Sequence, residues 1–336
     1  MNTLLRDLRY GLRTLARNPG FAAVAVLTIG IGIGASTTIF SWMRPMLLNP
    51  LPGATRAERI VAIENTAPDG EPITTSYLDF RDFRDNLKLV NLVTARVGNV
   101  FSVGDAPHTT QVWGELVSGG FFDMLGIEPE AGRFFSHAER ADAQNAHDVV
   151  VISHSYWKSK YQSDRSAIGS SLRINRTPFT IIGVAPESFH GTRSGLDYEM
   201  WMPLTMYGQL THTGTWMLRD RNTRNFMMFA RLAPGVTIEQ ARSEVQALAN
   251  RMGVAEADSN QGIGATVLQV WQSHFGTQSI LLTPITILMG ASGVVLLIVC
   301  ANLANLLLAR ATGRLKEFSV RLALSLIHIS EPTRPY

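Results

Sequence analysis

Phe21 to Trp42 reads FAAVAVLTIGIGIGASTTIFSW, and Ile280 to Leu308 reads ILLTPITILMGASGVVLLIVCANLANLLL. These two stretches decide the fold. Neither contains Asp, Glu, Lys or Arg, and the uncharged runs around them extend from Asn18 to Met43 and from Ser259 to Ala309. A helix rises about 1.5 Å per residue, so roughly 20 apolar residues cross a hydrocarbon core about 30 Å thick. Both stretches are long enough, and both are rich in the Gly and Ala common in membrane helices. Buried helices of soluble proteins seldom sustain so long an apolar run. A cleaved signal peptide is a poorer reading of the first, because its apolar region would be only about 7–15 residues. The expectation is two transmembrane helices, residues 21–43 and 280–309, flanking a large α+β domain over residues 44–279.

The charges at the flanks orient these helices. Arg6, Arg9, Arg13 and Arg17 precede the first against Asp7 alone; Arg310, Arg314, Lys316 and Arg321 follow the second against Glu317. The sides facing the loop are poorer in Lys and Arg. The positive-inside rule puts both termini in the cytoplasm and residues 44–279 outside. Residues 44–283 hold 21 Lys and Arg against 24 Asp and Glu, a net of −3, and the remainder holds 9 against 3, a net of +6. The overall +3 therefore comes from the membrane flanks. A nucleic-acid binder would need its basic face on the folded domain, so no nucleic-acid partner is expected.

The composition agrees. Only 17% of the 336 residues are charged, against about 25% in a typical soluble domain. One Cys excludes an internal disulfide framework and any Cys-rich zinc site.

Working outward, residues 3–17 (TLLRDLRYGLRTLAR) set Leu4, Leu5, Leu8, Leu12 and Leu15 at helical spacing with Arg between them. This predicts a basic amphipathic helix on the inner membrane surface, in contact with lipid, within a segment of residues 1–20. In the loop, strands are expected at 59–65, 89–97, 110–117, 149–152, 172–174, 179–184, 226–232 and 266–270. Ser76 is a cap for a helix through Asn86. Short helices are expected at 119–126 and 153–161. Thr237 and Gln240 form a capping box opening a helix to Arg251. Asn175–Pro178 reads as a hairpin turn. Residues 188–225, rich in Met, Trp and Gly, read as an irregular insertion.

The search for chemistry returns little. No G-x-x-x-x-G-K-[ST] phosphate loop is present, so the chain is not expected to be an enzyme that hydrolyses ATP. Gly30, Gly32 and Gly34 imitate part of a dinucleotide fingerprint, but no strand precedes them. Gly30 and Gly34 are better read as a G-x-x-x-G pair for close helix packing. The eight His are scattered, and Ser153-His154-Ser155 reads as the start of a helix. Cys300 reads as a small packing residue. Asn302 and Asn305 lie three apart on one helix face, where their amides need partners on a neighbouring helix. No catalytic, cofactor-binding or metal-ligating residue is assigned.

Several segments in order carry a resemblance. LLRDLRYGLRTLARNPGFAAVAVLTIGIGIGASTTIFSWMRPMLLNPLPG, VSGGFFDMLGIEPEAGRFF, VVVISHSYWKSKY, IGSSLRINRTPFTIIGVAPESFHG, RLAPGVTIEQARSEV and VVLLIVCANLANLLLARATGRLKEFSVRLAL resemble MacB/FtsX-type ABC transporter permeases. They are most similar to the stand-alone permeases described from acidobacteria as duplicated orphan permeases. The resemblance implies an elbow helix, a first span, a MacB-like periplasmic core domain, a second span and a cytoplasmic coupling segment over residues 310–324. It implies an inner-membrane location, and a separate ATPase subunit that binds the ATP and docks near Arg314, Glu317 and Arg321. ATP-driven motion would reach the outer domain for export or mechanotransmission. Family members carry four spans per unit, so a truncated chain is expected, completed by a homodimer or an internal duplicate. Residues 325–336 (SLIHISEPTRPY) depart from the pattern and resemble translated sequencing-adapter DNA. The alternative reading is a two-span, membrane-tethered binding or sensor protein.

Overall fold

The computed structural model describes residues 19–48, 51–105, 108–136, 139, 142–193, 195–276, 279, 283–302, 304–305, 308 and 320. The expected elbow helix (3–17), nearly all of the coupling segment and the 325–336 tail lie outside the described residues. The chain divides into two compact units, Arg44–Leu282 and the residues on either side of it in sequence.

The helical unit contains α1 (Pro19–Leu48) and α8 (Thr283–Asn302). Among the described residues, α8 is the one helix that is long and apolar enough to cross a membrane. In α1 the qualifying apolar stretch, Val26–Ser41, is shorter than a span. The first helix nonetheless runs beyond both ends of the expected 21–43 boundary.

The second unit is one mixed sheet. Its strands are β1 (Ile60–Thr66), β2 (Pro72–Ile73), β3 (Val90–Val103), β4 (Thr110–Val117), β5 (Ala131–Gly132), β6 (Val149–Ile152), β7 (Ser171–Ile174), β8 (Thr177–Val184), β9 (Met200–Pro203), β10 (Met227–Leu232) and β11 (Gly264–Gln269). Its helices are α2 (Tyr77–Asn86), α3 (Phe121–Leu125), α4 (His154–Tyr161), α5 (Tyr207–Thr211), α6 (Ile238–Ala255) and α7 (Ala257–Asn260).

The order β11-β1-β10-β3, with every pairing antiparallel, follows a β-α-β-β-α-β path: β1-α2-β3, then β10-α6-β11. That is the ferredoxin-like arrangement, interrupted between its second and third strands by everything from β4 to α5. β3 is 14 residues long because it serves both halves. Residues 90–96 pair with β10 and 96–103 with β4. β7 joins β8 to β3 through Val103 and Ile174, which closes a circuit β3-β4-β9-β6-β8-β7.

Local signals behave as expected at the caps. The Ser76 side chain accepts from Asp79 N, and Thr237 with Gln240 completes a reciprocal capping box. Ser153 accepts from Tyr156 N and is a helix cap. The 188–225 segment corrects the expectation of an irregular insertion. It contains β9, parallel to β4 and antiparallel to β6, with all four residues buried. Met200 and Met202 face one core cluster and Trp201 the other. β1 does the same, sending Val61 and Ile63 to one core and Ile60 and Ala62 to the other. A strand buried on both faces loses the polar alternation that marks strands in sequence. α2 and α6 cover the first core; α3, Phe135 and Phe189 fill the second.

Candidate functional site

Two arrangements stand out: the contact between α1 and α8, and the buried charges of the sheet unit.

In the helix pair, the hydroxyls of Ser36 and Ser292 lie 2.8 Å apart. Ser36 also donates to Gly32 O at 2.9 Å, so it can accept from Ser292. A Cβ on Gly32 would lie 3.1 Å from Val299 Cγ2, with Leu296 next to it. Ser36 meets Ser292 while Gly32, one turn earlier, meets Val299, so the helices run antiparallel. The same test at Gly30 and Gly34 finds nothing within 4 Å. Successive helical residues rotate by about 100°, so Gly30 and Gly34 point away from the side that Gly32 presents. Within this pair the packing glycine is thus Gly32, which the sequence reading passed over. Asn302 and Asn305 are both helical and exposed, and neither side-chain amide has a hydrogen-bond partner among the described residues. Cys300 is exposed rather than packed. Thr28 and Thr38 bond back to Val24 O and Gly34 O, which satisfies their hydroxyls within the helix. Arg314, Glu317 and Arg321 lie outside the described residues.

In the sheet unit, Arg96 on β3 and Glu115 on β4 form a 2.9 Å ion pair with side-chain exposures of 2% and 0%. Thr192 donates to Glu115 Oε1 at 2.7 Å and Trp201 Nε1 to Oε2 at 2.9 Å. The Arg96 guanidinium lies 5.3 Å from the Phe229 ring centre. β10, β3, β4 and β9 are therefore tied by one carboxylate and one guanidinium. Tyr198 packs beside them, its phenol pushed up by burial and by the Glu115 charge. Gly98 and Gly191 both face Tyr198, where a Cβ would strike the side chain.

A second anchor is Asp79, fully buried on α2. It accepts from Arg221 and Arg224 at 2.6 Å each and from Asn260 Nδ2 at 2.8 Å. This draws α2, the 219–225 segment and α7 together. Beside it, Asp142 accepts from Tyr77 at 2.7 Å and from Arg84 at 3.0 and 2.9 Å. Burial opposes ionisation of Asp142, but the hydrogen bonds from Arg84 and Tyr77 hold it below the usual carboxylate range.

The third anchor sits where the chain leaves β11 toward α8. Buried Glu64 on β1 accepts from Ser273 Oγ at 2.6 Å, from His274 N at 2.9 Å and pairs with His274 Nδ1 at 2.7 Å. The segment that follows β11 is thereby fastened to β1, the strand next to the β11 edge of the sheet. Glu64 and His274 are 210 positions apart, and no local pattern marks either. A charged residue directly after the apolar run Ile60–Ile63 is the one signal that was available.

The carboxylates of these anchors are occupied, although Arg96 Nε has no hydrogen-bond partner among the described residues. Each buried carboxylate is held by donors, and this stiffens elements rather than exposing a nucleophile or base.

Residues 22–248 match the family described as MacB-like periplasmic core domain. The Macrolide export ATP-binding/permease protein MacB of Neisseria gonorrhoeae is 26% identical over 235 residues, covering 68% of this chain and 32% of that protein. The protein of the same description from Vibrio parahaemolyticus is 23% identical over 320 residues, covering 91% and 43%. The chain thus spans about a third of the first of these relatives and less than half of the second. Among solved structures, the periplasmic region of MacB from Actinobacillus actinomycetemcomitans aligns with a TM-score of 0.45 at 14% identity, over 64% of this chain and 90% of that one. The extracellular domain of the noncanonic ABC-type transporter YknZ from Gram-positive bacteria aligns with a TM-score of 0.45 at 14% identity, over 62% and 99%.

Proposed function

We propose, from the premise that this chain belongs to the MacB-like periplasmic core domain family, that it works as the mechanical part of an ABC-transporter permease. Membership makes it a MacB/FtsX-type inner-membrane protein with an extracytoplasmic domain. In our reading both α1 and α8 span the membrane, with the two termini in the cytoplasm. A separate ATPase binds and hydrolyses ATP, and docks near Arg314, Glu317 and Arg321. Its motion passes through the helices to the sheet unit, which exports a substrate or activates a partner outside.

One observation supports this most directly. The sheet unit is entered from α1 and left toward α8, and those two helices are joined to each other through Ser36 and Ser292. Displacing the pair would therefore load both ends of the sheet unit, one of them fastened by Glu64. The tool for such work is a stiff body, not a catalytic cleft.

The test is a pull-down of the tagged full chain from native membranes. A protein with a phosphate-binding loop should copurify with the parent chain and be lost from Glu317→Lys and Arg314→Glu. In parallel, a cysteine placed at Glu239 in a Cys300→Ser background should label with a membrane-impermeant maleimide in intact cells. External labelling without an ATPase would favour the tethered binding or sensor protein instead.

A further inference from the structure

A cavity of about 660 Å³ opens where the end of β3 meets the β7–β8 turn. Its walls include Gly104, Asp105, Arg173, Asn175, Arg176 and His212. The volume lies within the roughly 300–1,000 Å³ of ligand sites, and the lining mixes apolar surface with the polar and charged ends of these side chains.

The frame of the cavity is rigid. Asn175 and Arg176 are the two central residues of the turn, with φ of 45° and 71°, as a type I′ turn requires. Asn175 Oδ1 accepts from Ser102 N at 2.8 Å, and its Nδ2 donates to Leu210 O at 2.7 Å. Gly104 N donates to Arg173 O at 2.9 Å. One asparagine thus pins β3, the turn and α5 around the opening.

The charge is unexpected. Arg173 pairs with Asp105 at 2.9 Å. Arg176 and His212 have neither an ion pair nor a hydrogen bond among the described residues. Two guanidinium groups therefore face one carboxylate, in a domain whose net charge is −3. The second turn position of a type I′ turn belongs by preference to Gly, because a long side chain is disfavoured in the left-handed region. Folding alone gives no reason for an arginine there. Strain of this kind, held by the surrounding structure, points to a use.

We propose that this cavity binds a carboxylate-bearing peptide segment of a partner protein, with Arg173 and Arg176 holding the anionic groups. Guanidinium matches carboxylate geometry in paired hydrogen bonds. The volume suits several residues of an extended chain, not a single carboxylate. The site stands whether or not an ATPase drives the permease.

Fluorescence anisotropy on the full chain in uncharged nanodiscs tests it, with labelled penta-aspartate and penta-asparagine as probes. Penta-aspartate should bind at least about 10-fold more tightly than penta-asparagine, with the gap closing as salt rises. Arg176→Asn keeps a turn-compatible residue and should weaken penta-aspartate about 5-fold, a change of about 1 kcal/mol. Asp105→Asn should strengthen it, because a competing carboxylate is removed and Arg173 is released. Equal binding of the two peptides overturns the proposal, as does indifference to both substitutions. Displacement of the peptide by free succinate at matched carboxylate concentration would overturn the peptide assignment in favour of a small dicarboxylate.

Discussion

The sheet unit and the helix pair stabilise themselves in opposite ways. The sheet unit buries whole ion pairs: Arg96–Glu115 is sealed between strands, and Asp79 is enclosed by two arginines and an asparagine. Two hydrophobic clusters lie on the two faces of its sheet. The helix pair has no such interior. Only 6% of the apolar window of α8 is buried by the protein, and among the described residues the polar contact between the helices is one pair of serine hydroxyls. A body that contains its own core can carry load as a unit. Two apolar helices with outward-facing side chains depend on the surrounding solvent for their burial, and in hydrocarbon their association rests on close packing and a few hydrogen bonds.

The sharpest way to break this comparison is Glu115→Ala. It leaves the Arg96 charge buried without its partner and should destabilise the sheet unit by about 3–5 kcal/mol, seen as a lowered thermal midpoint by circular dichroism. Replacing the pair together, with Arg96→Met and Glu115→Leu, should recover most of that loss. If the single substitution is silent, the buried pair is not what binds β3 to β4 and β9.

A smaller and local effect is expected from Glu64→Gln. Losing the charge that holds Ser273 and His274 should cost about 1–2 kcal/mol. Amide exchange should quicken at residues 270–274 while β1 stays protected. Uniform acceleration across the whole sheet would mean that Glu64 holds the core together, not the exit segment.

Acid should act on the sheet unit at a defined pair. Glu139 hydrogen-bonds Arg133 at 2.7 and 2.8 Å, and this holds its carboxyl down to about 2. A lowered folded value means the stabilisation is complete above the ordinary carboxylate range near 4.5 and fades as pH falls toward about 2. Because the Arg133 side chain is half exposed, screening limits the effect to about 1 kcal/mol or less. Glu139→Gln should flatten that part of the acid limb in a pH-dependent melt.

The smallest single-residue effect belongs to Ser36. Ser36→Ala should weaken the α1–α8 association by about 0.6 kcal/mol in bilayers, measured by disulfide trapping between the helices. Gly32→Leu, which drives a side chain into Val299, should abolish trapping, whereas Gly30→Leu and Gly34→Leu should leave it intact.

Much of the sheet unit was legible. Ser76, Ser153 and the Thr237–Gln240 box mark helix starts because capping is a local exchange of hydrogen bonds. Most strands announced themselves by apolar runs between turns. β9 did not, since both of its faces are buried and Met200–Pro203 shows no alternation. The second half of β3, beyond Val97, was also missed. Its Gly98-Asn99 sequence reads as a break, yet those residues pair with Glu115 and Gly114.

The candidate site was far less legible. Glycine spacing drew attention to Gly30 and Gly34, but which helix face meets a neighbour is a property of the pair, and it fell to Gly32. Glu64 with His274, and Asp79 with Arg221 and Arg224, join residues more than 140 positions apart. What the sequence determined by itself was the apolar runs, the caps, the charge asymmetry and the family resemblance. All of these depend on neighbours in the chain or on composition. Only the tertiary structure decided which charges are buried together, where β3 divides its two partners and how an arginine comes to line a cavity beside the β7–β8 turn. Those outcomes depend on contacts between distant segments, and no local preference encodes them.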